Sequence, residues 1–412
     1  MSTPLPCENP MNLPSGWRWT RLEEVIAEAK PGFACGTREP NGVVQLRMNN
    51  VDTRGNLTWE EFIRVPADSA TISQYRLEDG DIVFNNTNSV ELVGKSAMFR
   101  GYSEAVVYSN HFTRLRVVHD RADSGFVASW LLHQWKVRTF ENICNRWIGQ
   151  SAVKSDELLA LEMPLPPLEE QKRIAAILNE QLGAVERARA AAGSQLQAAK
   201  ALPADYLRAV FSSPEAQHWP RRPLGDVATL ERGKFSPRPR NDPRYYGGPY
   251  PWIQTGEVET AQKYITCFRN TLNELGLGVS KMFPKGTLVI TIAATIGAVG
   301  ILEFDCCMPD SLVGITPRAG MSDTEFLYYV LLFVRGHLKS LAPAMAQPNL
   351  KLELLNPLIV PMPPLPDQQR IAAILNEQVA SAEQARKAIE EELDAINKLP
   401  AALLRRAFNG EL

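Results

Sequence analysis

The chain has 412 residues, enough for two or three domains with full cores. Hydrophobic residues make up 45% and charged residues 22%, an ordinary globular composition, and no run of about 18 apolar residues offers a helical membrane span. The net charge of −2 excludes a protein that holds nucleic acid by overall charge, so any DNA surface must be local or completed by a partner.

Residues 1–14 are polar and proline-rich, without the positive flank and apolar core of a signal peptide, which points to the cytoplasm. The cysteines Cys7, Cys35, Cys144, Cys267, Cys306 and Cys307 lack Cys-x-x-Cys spacing and read as reduced thiols. From residue 12 to about 163 the pattern predicts a strand-rich block. Trp17, Trp19, Leu22, Val25 and Ile26 form a short amphipathic opening. Strands follow at Val43–Leu46, Phe62–Val65, Ile82–Phe84, 95–99 and 112–118. A dense polar loop, Asn85, Asn86, Thr87, Asn88 and Ser89, leaves the third of these. A helix over Phe126–Thr139 and a loop with Arg146, Trp147, Gly149, Gln150, Ser151 and Lys154 close the block.

A long helix is predicted from about Glu169, behind the extended Pro164, Pro166, Pro167 and Leu168 run. Ile174, Leu178, Val185 and Leu196 mark its apolar stripe. The same stretch returns at a constant offset of 197 positions (Ile174 to Ile371), with Ile371, Leu375, Ile389 and Leu393 on the second stripe. Register holds to Phe211 and Phe408, and about half the aligned positions are identical, so the chain carries an internal duplication. An alanine-rich stripe suits a close partner helix, so the two copies are expected to pair antiparallel as a spacer. Roughly 33 residues before Leu202-Pro203 give a rod of about 50 Å.

Residues 217 to about 360 read as the first block again, strongly diverged. Pro251–Val258 stands where Gln45–Val51 stood, Lys285–Ile290 matches Asp79–Phe84, and Glu325–Leu338 is the matching helix. The resulting division is 1–163 first block, 164–216 first helix, 217–360 second block and 361–412 second helix. The fold class is α+β, with two globular strand-rich domains joined by two long antiparallel helices as a coiled-coil-like spacer, in an internal pseudo-two-fold repeat.

Catalytic signatures are scarce. Gly94-Lys95-Ser96 resembles the end of a phosphate loop, but Ser89 stands where the first glycine is required. The glycines near 276–278 and 297–300 complete no dinucleotide fingerprint. No Asn/Asp-Pro-Pro-aromatic motif is present, no acid-x-lysine strand completes Pro309-Asp310, and the five histidines lack metal-ligand spacing. The reading is a non-enzymatic chain without catalytic or metal residues and with no cofactor of its own.

Basic and amide-rich loops say more. Arg232, Lys234, Arg238, Arg240 and Arg244 face a single acid in that segment, Asp242, with Phe235, Tyr245 and Tyr246 interleaved. Guanidinium groups bind phosphates or guanine edges, and rings pack on sugars and bases. A merely solvated loop is the competing reading. Asn85, Asn86 and Asn88 carry amides of the kind that read adenine, with a plain turn as the alternative. Arg146, Gln150 and Lys154 in the first half, and Gln347 and Lys351 in the second, lie at equivalent places before the helices. Arg47, Asn49, Gln254 and Thr255, in the matched stretches of the two blocks, complete the candidate DNA contacts.

The doubled Pro-Pro-Leu-x-x-Gln-x-x-Ile pattern, Pro166 to Ile174 and Pro363 to Ile371, resembles the specificity subunits of type I restriction–modification systems over nearly the whole chain. Gly149-Gln150, Gly233-Lys234-Phe235 and Trp252-Ile253-Gln254-Thr255 are similar to that family's target-recognition domains, while Ala346 departs from Gly149. The resemblance implies two target-recognition domains, each reading one half of a bipartite, asymmetric double-stranded DNA target. It also implies two adenine methyltransferase subunits using S-adenosylmethionine, restriction subunits using ATP and magnesium, and no membrane. A helical scaffold that reads no DNA is the alternative.

Overall fold

A computed structural model describes residues 13–237, 239–293, 295–341 and 350–412. The chain divides into two compact units, one of residues 1–193 with 391–412 and the other of residues 194–390. Both divisions fall inside long helices, at Gly193 and at Glu390, which are equivalent positions of the repeat. Each unit therefore owns the start of one long helix and the end of the other.

In the first unit, Ile26–Pro31, Phe112–Val117, Ile82–Asn85 and Ser96–Met98 form a four-stranded antiparallel sheet in that order. A three-stranded sheet of Ile63–Val65, Val43–Leu46 and Val106–Tyr108 lies beside it, its last pair parallel. The central strand explains its own sequence. Ile82 and Phe84 enter one core and Val83 another, so the strand is apolar on both faces and does not alternate. Arg18–Arg21 pairs with Glu162–Leu165 and closes the unit just before the first long helix.

The second unit repeats this plan. Ala228–Arg232, Leu312–Pro317, Leu288–Thr291, Val299–Leu302 and Tyr264–Ile265 form a five-stranded sheet, again with its central strand between two cores. Asn270–Leu272, Tyr246–Trp252, Cys306–Cys307 and Met282–Phe283 form the second sheet, and Arg221–Pro223 pairs with Ile359–Pro361. The predicted helices split in both units, into Ser124–Lys136 and Thr139–Ile143, and into Thr324–Phe333 and Arg335–Leu341.

The long helices run Leu168–Phe211 and Leu365–Phe408, each of 44 residues, so the repeat register is kept to both ends. At 1.5 Å per residue each is about 66 Å long, beyond the 50 Å expected from a stop at Leu-Pro. Pro203 and Pro400 lie within the helices. A proline there costs about 3 kcal/mol. Past it, Leu207 and Phe211 are buried in the core of the second unit, and Leu404 and Phe408 in the core of the first. Burying two such side chains contributes about 3–6 kcal/mol, which offsets the proline. Phe408 packs edge-on against Phe126 at 5.3 Å, and Phe211 against the equivalent Phe326 at 5.7 Å.

The stripe residues also depart from expectation. Ile174 and Leu178 are part of the first unit's core, and Ile371 and Leu375 of the second's, so these turns are anchors in the globular domains more than a helix-to-helix seam. Val185 and Leu196 are buried, and Ile389 and Leu393 are half-buried.

Gln171 and Gln368 explain the repeated motif. The Gln171 amide accepts from the Asp123 backbone N–H at 2.9 Å and donates to the carbonyls of Arg121 and Pro166 at 3.2 and 2.9 Å. Gln368 makes the same set with the Asp323 N–H and the Met321 and Pro363 carbonyls, at 2.9, 3.1 and 2.8 Å. Asp123 and Asp323 in turn cap the following helices through the N–H groups of Phe126 and Phe326, each at 2.9 Å. Replacing Gln171 with leucine leaves these buried backbone groups unpaired and is expected to cost about 3 kcal/mol. Denaturant unfolding of Gln171→Leu beside the exposed-site variant Lys172→Ala checks this, the latter changing by less than about 0.5 kcal/mol.

Candidate nucleic-acid interface

In the first unit the polar stretch after Ile82–Asn85 and the segment before the long helix, both predicted as loops, pair with each other. Asn145–Trp147 and Gln150–Ala152 form a hairpin, and Gln150–Ala152 also pairs with Thr87–Asn88. Asn88, Ser151 and Arg146 stand opposite one another in one cross-strand row. The sheet therefore places Asn88 and Arg146 in one row and Gln150 in the next, opposite Trp147, with Lys154 exposed beyond the sheet, at the start of the short helix Ser155–Leu159. Arg146 donates to the Glu141 carbonyl at 3.0 Å. The Glu91 carboxyl is held low chiefly by its own backbone N–H and the Ser89 hydroxyl, with a smaller contribution from the Arg146 charge.

Asn85 is a correction. It is fully buried, donates to the Thr87 and His111 carbonyls at 3.2 and 2.9 Å, and accepts from the Asn88 amide at 2.6 Å. Its amide is spent on the fold and cannot read a base. Asn86, half-buried, donates to the Asn110 carbonyl and the Thr113 hydroxyl at 3.3 and 3.0 Å and accepts from Thr87. Only Asn88 of the three adjoins the exposed hairpin, and its donor to Asn85 is already engaged.

Asn49 is exposed on the 3-10 turn Met48–Asn50, and Arg47, half-exposed, immediately precedes it. Lys95, 7% exposed, holds that turn by donating to the Val51 carbonyl and, at 3.4 Å, to the Met48 carbonyl. Burial pushes its ammonium below the usual lysine range, with Asp52 opposing the shift. Gly94 has φ +86°, and a Cβ there would lie 2.3 Å from the Phe140 ring. The Gly94-Lys95-Ser96 resemblance to a phosphate loop is thus a matter of packing.

In the second unit the basic segment is less bare than its sequence suggests. Asp310, distant in the chain, pairs with the Arg240 guanidinium, and its backbone carbonyl accepts from Arg232 at 2.5 Å. Arg244 forms an ion pair with Asp242 at 2.6 Å, which holds that carboxyl below its usual range, and stands 5.9 Å from the Tyr245 ring. Lys234 is exposed. Phe235 is a second correction, because it is buried against Trp252 at 4.8 Å and is not free to pack on a base. Arg238 and Gln347, together with Ala346, lie outside the described residues. Lys351 is exposed at the start of Leu352–Leu355.

Gln254 and Thr255 open the helix Thr255–Thr260 and line a cleft of 470 Å³ with Arg240, Tyr246, Trp252 and Ser311. Trp252 Nε1 is buried there without a hydrogen-bond partner among the described residues. Asp310's role is not legible in the sequence, since it and Arg240 lie in turns 70 residues apart in the chain. Asp310→Asn frees Arg240, so it should raise DNA affinity and steepen the salt slope by about 1, measured by titration across ionic strengths.

Two domains of one plan, presenting different polar and basic loops on a repeated helical frame, define a duplicated recognition protein. The sequence pattern of the type I restriction modification DNA specificity domain matches residues 14–188 and again 217–394. The chain belongs to that family, with two copies of the domain. The putative type I restriction enzyme MjaX specificity subunit of Methanocaldococcus jannaschii is 24% identical over 380 residues, spanning 87% of this chain and 86% of that protein. The MjaIX specificity subunit of the same organism is 30% identical over 138 residues, 32% of each chain. The HsdS subunit from Thermoanaerobacter tengcongensis has the same fold, with a TM-score of 0.66 at 24% identity over 98% of this chain and 100% of its own. A chain from a structure of complex assembly in a type I restriction–modification system aligns with a TM-score of 0.73 at 23% identity, covering 98% of this chain and 100% of that one. Among the described residues no helix is long and apolar enough to cross a membrane.

Proposed function

We propose that this chain is the sequence-reading subunit of a type I restriction–modification complex, taking a bipartite DNA target with one half-site per domain. It performs no chemistry itself. Its partners are two adenine methyltransferase subunits and, for cleavage, restriction subunits, and the complex works in the cytoplasm. S-adenosylmethionine then belongs to the methyltransferase, and ATP and magnesium to the restriction subunits.

The observation that carries this reading is the contrast between preserved frame and changed loops. The Gln171 and Gln368 ties match bond for bond, while one domain offers an amide-and-hairpin surface and the other a polar cleft lined by Arg240, Gln254 and Thr255 beside Trp252. Different surfaces imply half-sites of different sequence. The charge of −2, and the acids already paired with Arg240 and Arg244, fit a reader whose hold on phosphates is completed by other subunits.

The long helices then act as a ruler. Four residues inserted at Gly193 and four at Glu390, the matched positions where the two units divide, lengthen each helix by about 6 Å. With base pairs rising about 3.4 Å, the unread gap should grow by about two base pairs. Sequencing methylated adenines in cells carrying the insertion tests this. An assembled, active complex that keeps the original gap would refute the ruler.

A further inference from the structure

The Asn145–Ala152 hairpin ends in an unusual tip. Trp147 is 63% and Ile148 107% exposed, adjacent apolar side chains at a two-residue turn, with Gly149 at φ +82° completing it. This tip is carried on a paired hairpin anchored at its base. The hairpin pairs through three residues of each strand and then joins Thr87–Asn88. Cys144 and Val153 at its base are buried in the main core, and the Val153 N–H donates to the Asn86 carbonyl at 3.0 Å.

The surroundings favour nucleic acid over protein. Arg146 and Gln150 are exposed beside the tip, Asn88 lies in the next strand, and Lys154 is exposed past the hairpin's base. Two apolar side chains ringed by cations and amides are far smaller than the roughly 800 Å² per partner of a stable protein interface. Apolar wedges, isoleucine among them, enter between base pairs and unstack them, while flanking cations hold the phosphates. An exposed aromatic ring stacks on bases without regard to their identity.

We propose that Trp147 and Ile148 form a wedge that enters the base stack at the half-site read by the first domain. This rests on the DNA-reading function proposed above. The wedge adds specificity where no hydrogen bond reaches, because pyrimidine–purine steps unstack most easily and the entered step should be one of them. Strand pairing of the hairpin lowers the ordering cost of presenting the two side chains to DNA.

The test uses the full chain assembled with its methyltransferase, on target duplexes carrying 2-aminopurine at successive positions of the first half-site other than the methylated adenine. The wild-type complex should raise fluorescence at one step. The double variant Trp147→Ser/Ile148→Ser should abolish that rise and weaken binding about tenfold or more. A mismatch built in at the same step should restore most of the loss, since the stack is already opened. Specific binding with no fluorescence rise at any step overturns the wedge and leaves the function standing. Absence of specific binding by the wild-type complex overturns both. A variant that fails to assemble with the methyltransferase, yet unstacks DNA normally when assembly is forced by concentration, makes the tip a protein contact and also overturns the wedge.

Discussion

In each domain a single buried glutamine amide ties together three pieces of chain. Gln171 and Gln368 accept the N–H of the residue that caps the domain's main helix, and they donate to carbonyls of the preceding loop and of the proline run that opens the long helix. Proline matters here because it supplies a carbonyl acceptor and no competing N–H. Left unpaired, such buried groups would each cost about 1–3 kcal/mol, a large share of a domain's marginal stability. The long helix is thereby fixed in direction as it leaves each domain. Ile174 and Leu178, or Ile371 and Leu375, then seat its first turns in the core.

The far end of each helix is fixed by the same economy. Phe408 meets Phe126, and Phe211 meets Phe326, so every domain is completed by the end of the helix that starts in the other. A frame set at both ends by repeated contacts leaves the loops free to vary. The first domain uses that freedom for a hairpin bonded to an asparagine strand. The second uses it for a cleft lined by Trp252 and by Arg240, which Asp310 holds.

The frame was legible in the sequence because a constant offset survives wherever packing forbids insertion. Central strands were legible too, since Ile82–Phe84 and Leu288–Ile290 are apolar on both faces. The helix end was misjudged, because Pro203 stops a helix by local rules and only burial of Leu207 and Phe211 overrides them. The candidate site was read less well. Asn85 looks like a base reader in sequence, but it is buried and its neighbours in space take both of its donors and bond its oxygen. Arg240 looks unpaired in sequence because Asp310 is distant in the chain. Composition tells which groups a loop carries. It does not tell which of them the fold has already used.

The central claim is that one chain reads two unequal half-sites for a partner that methylates adenine. The most direct measurement is a genome-wide map of methylated adenines in the source cells with and without this gene. The account predicts the loss of one motif made of two different halves separated by a fixed gap, with all other motifs unchanged. An unchanged map in cells that express the methyltransferase partner, or the loss of one uninterrupted motif, would contradict it.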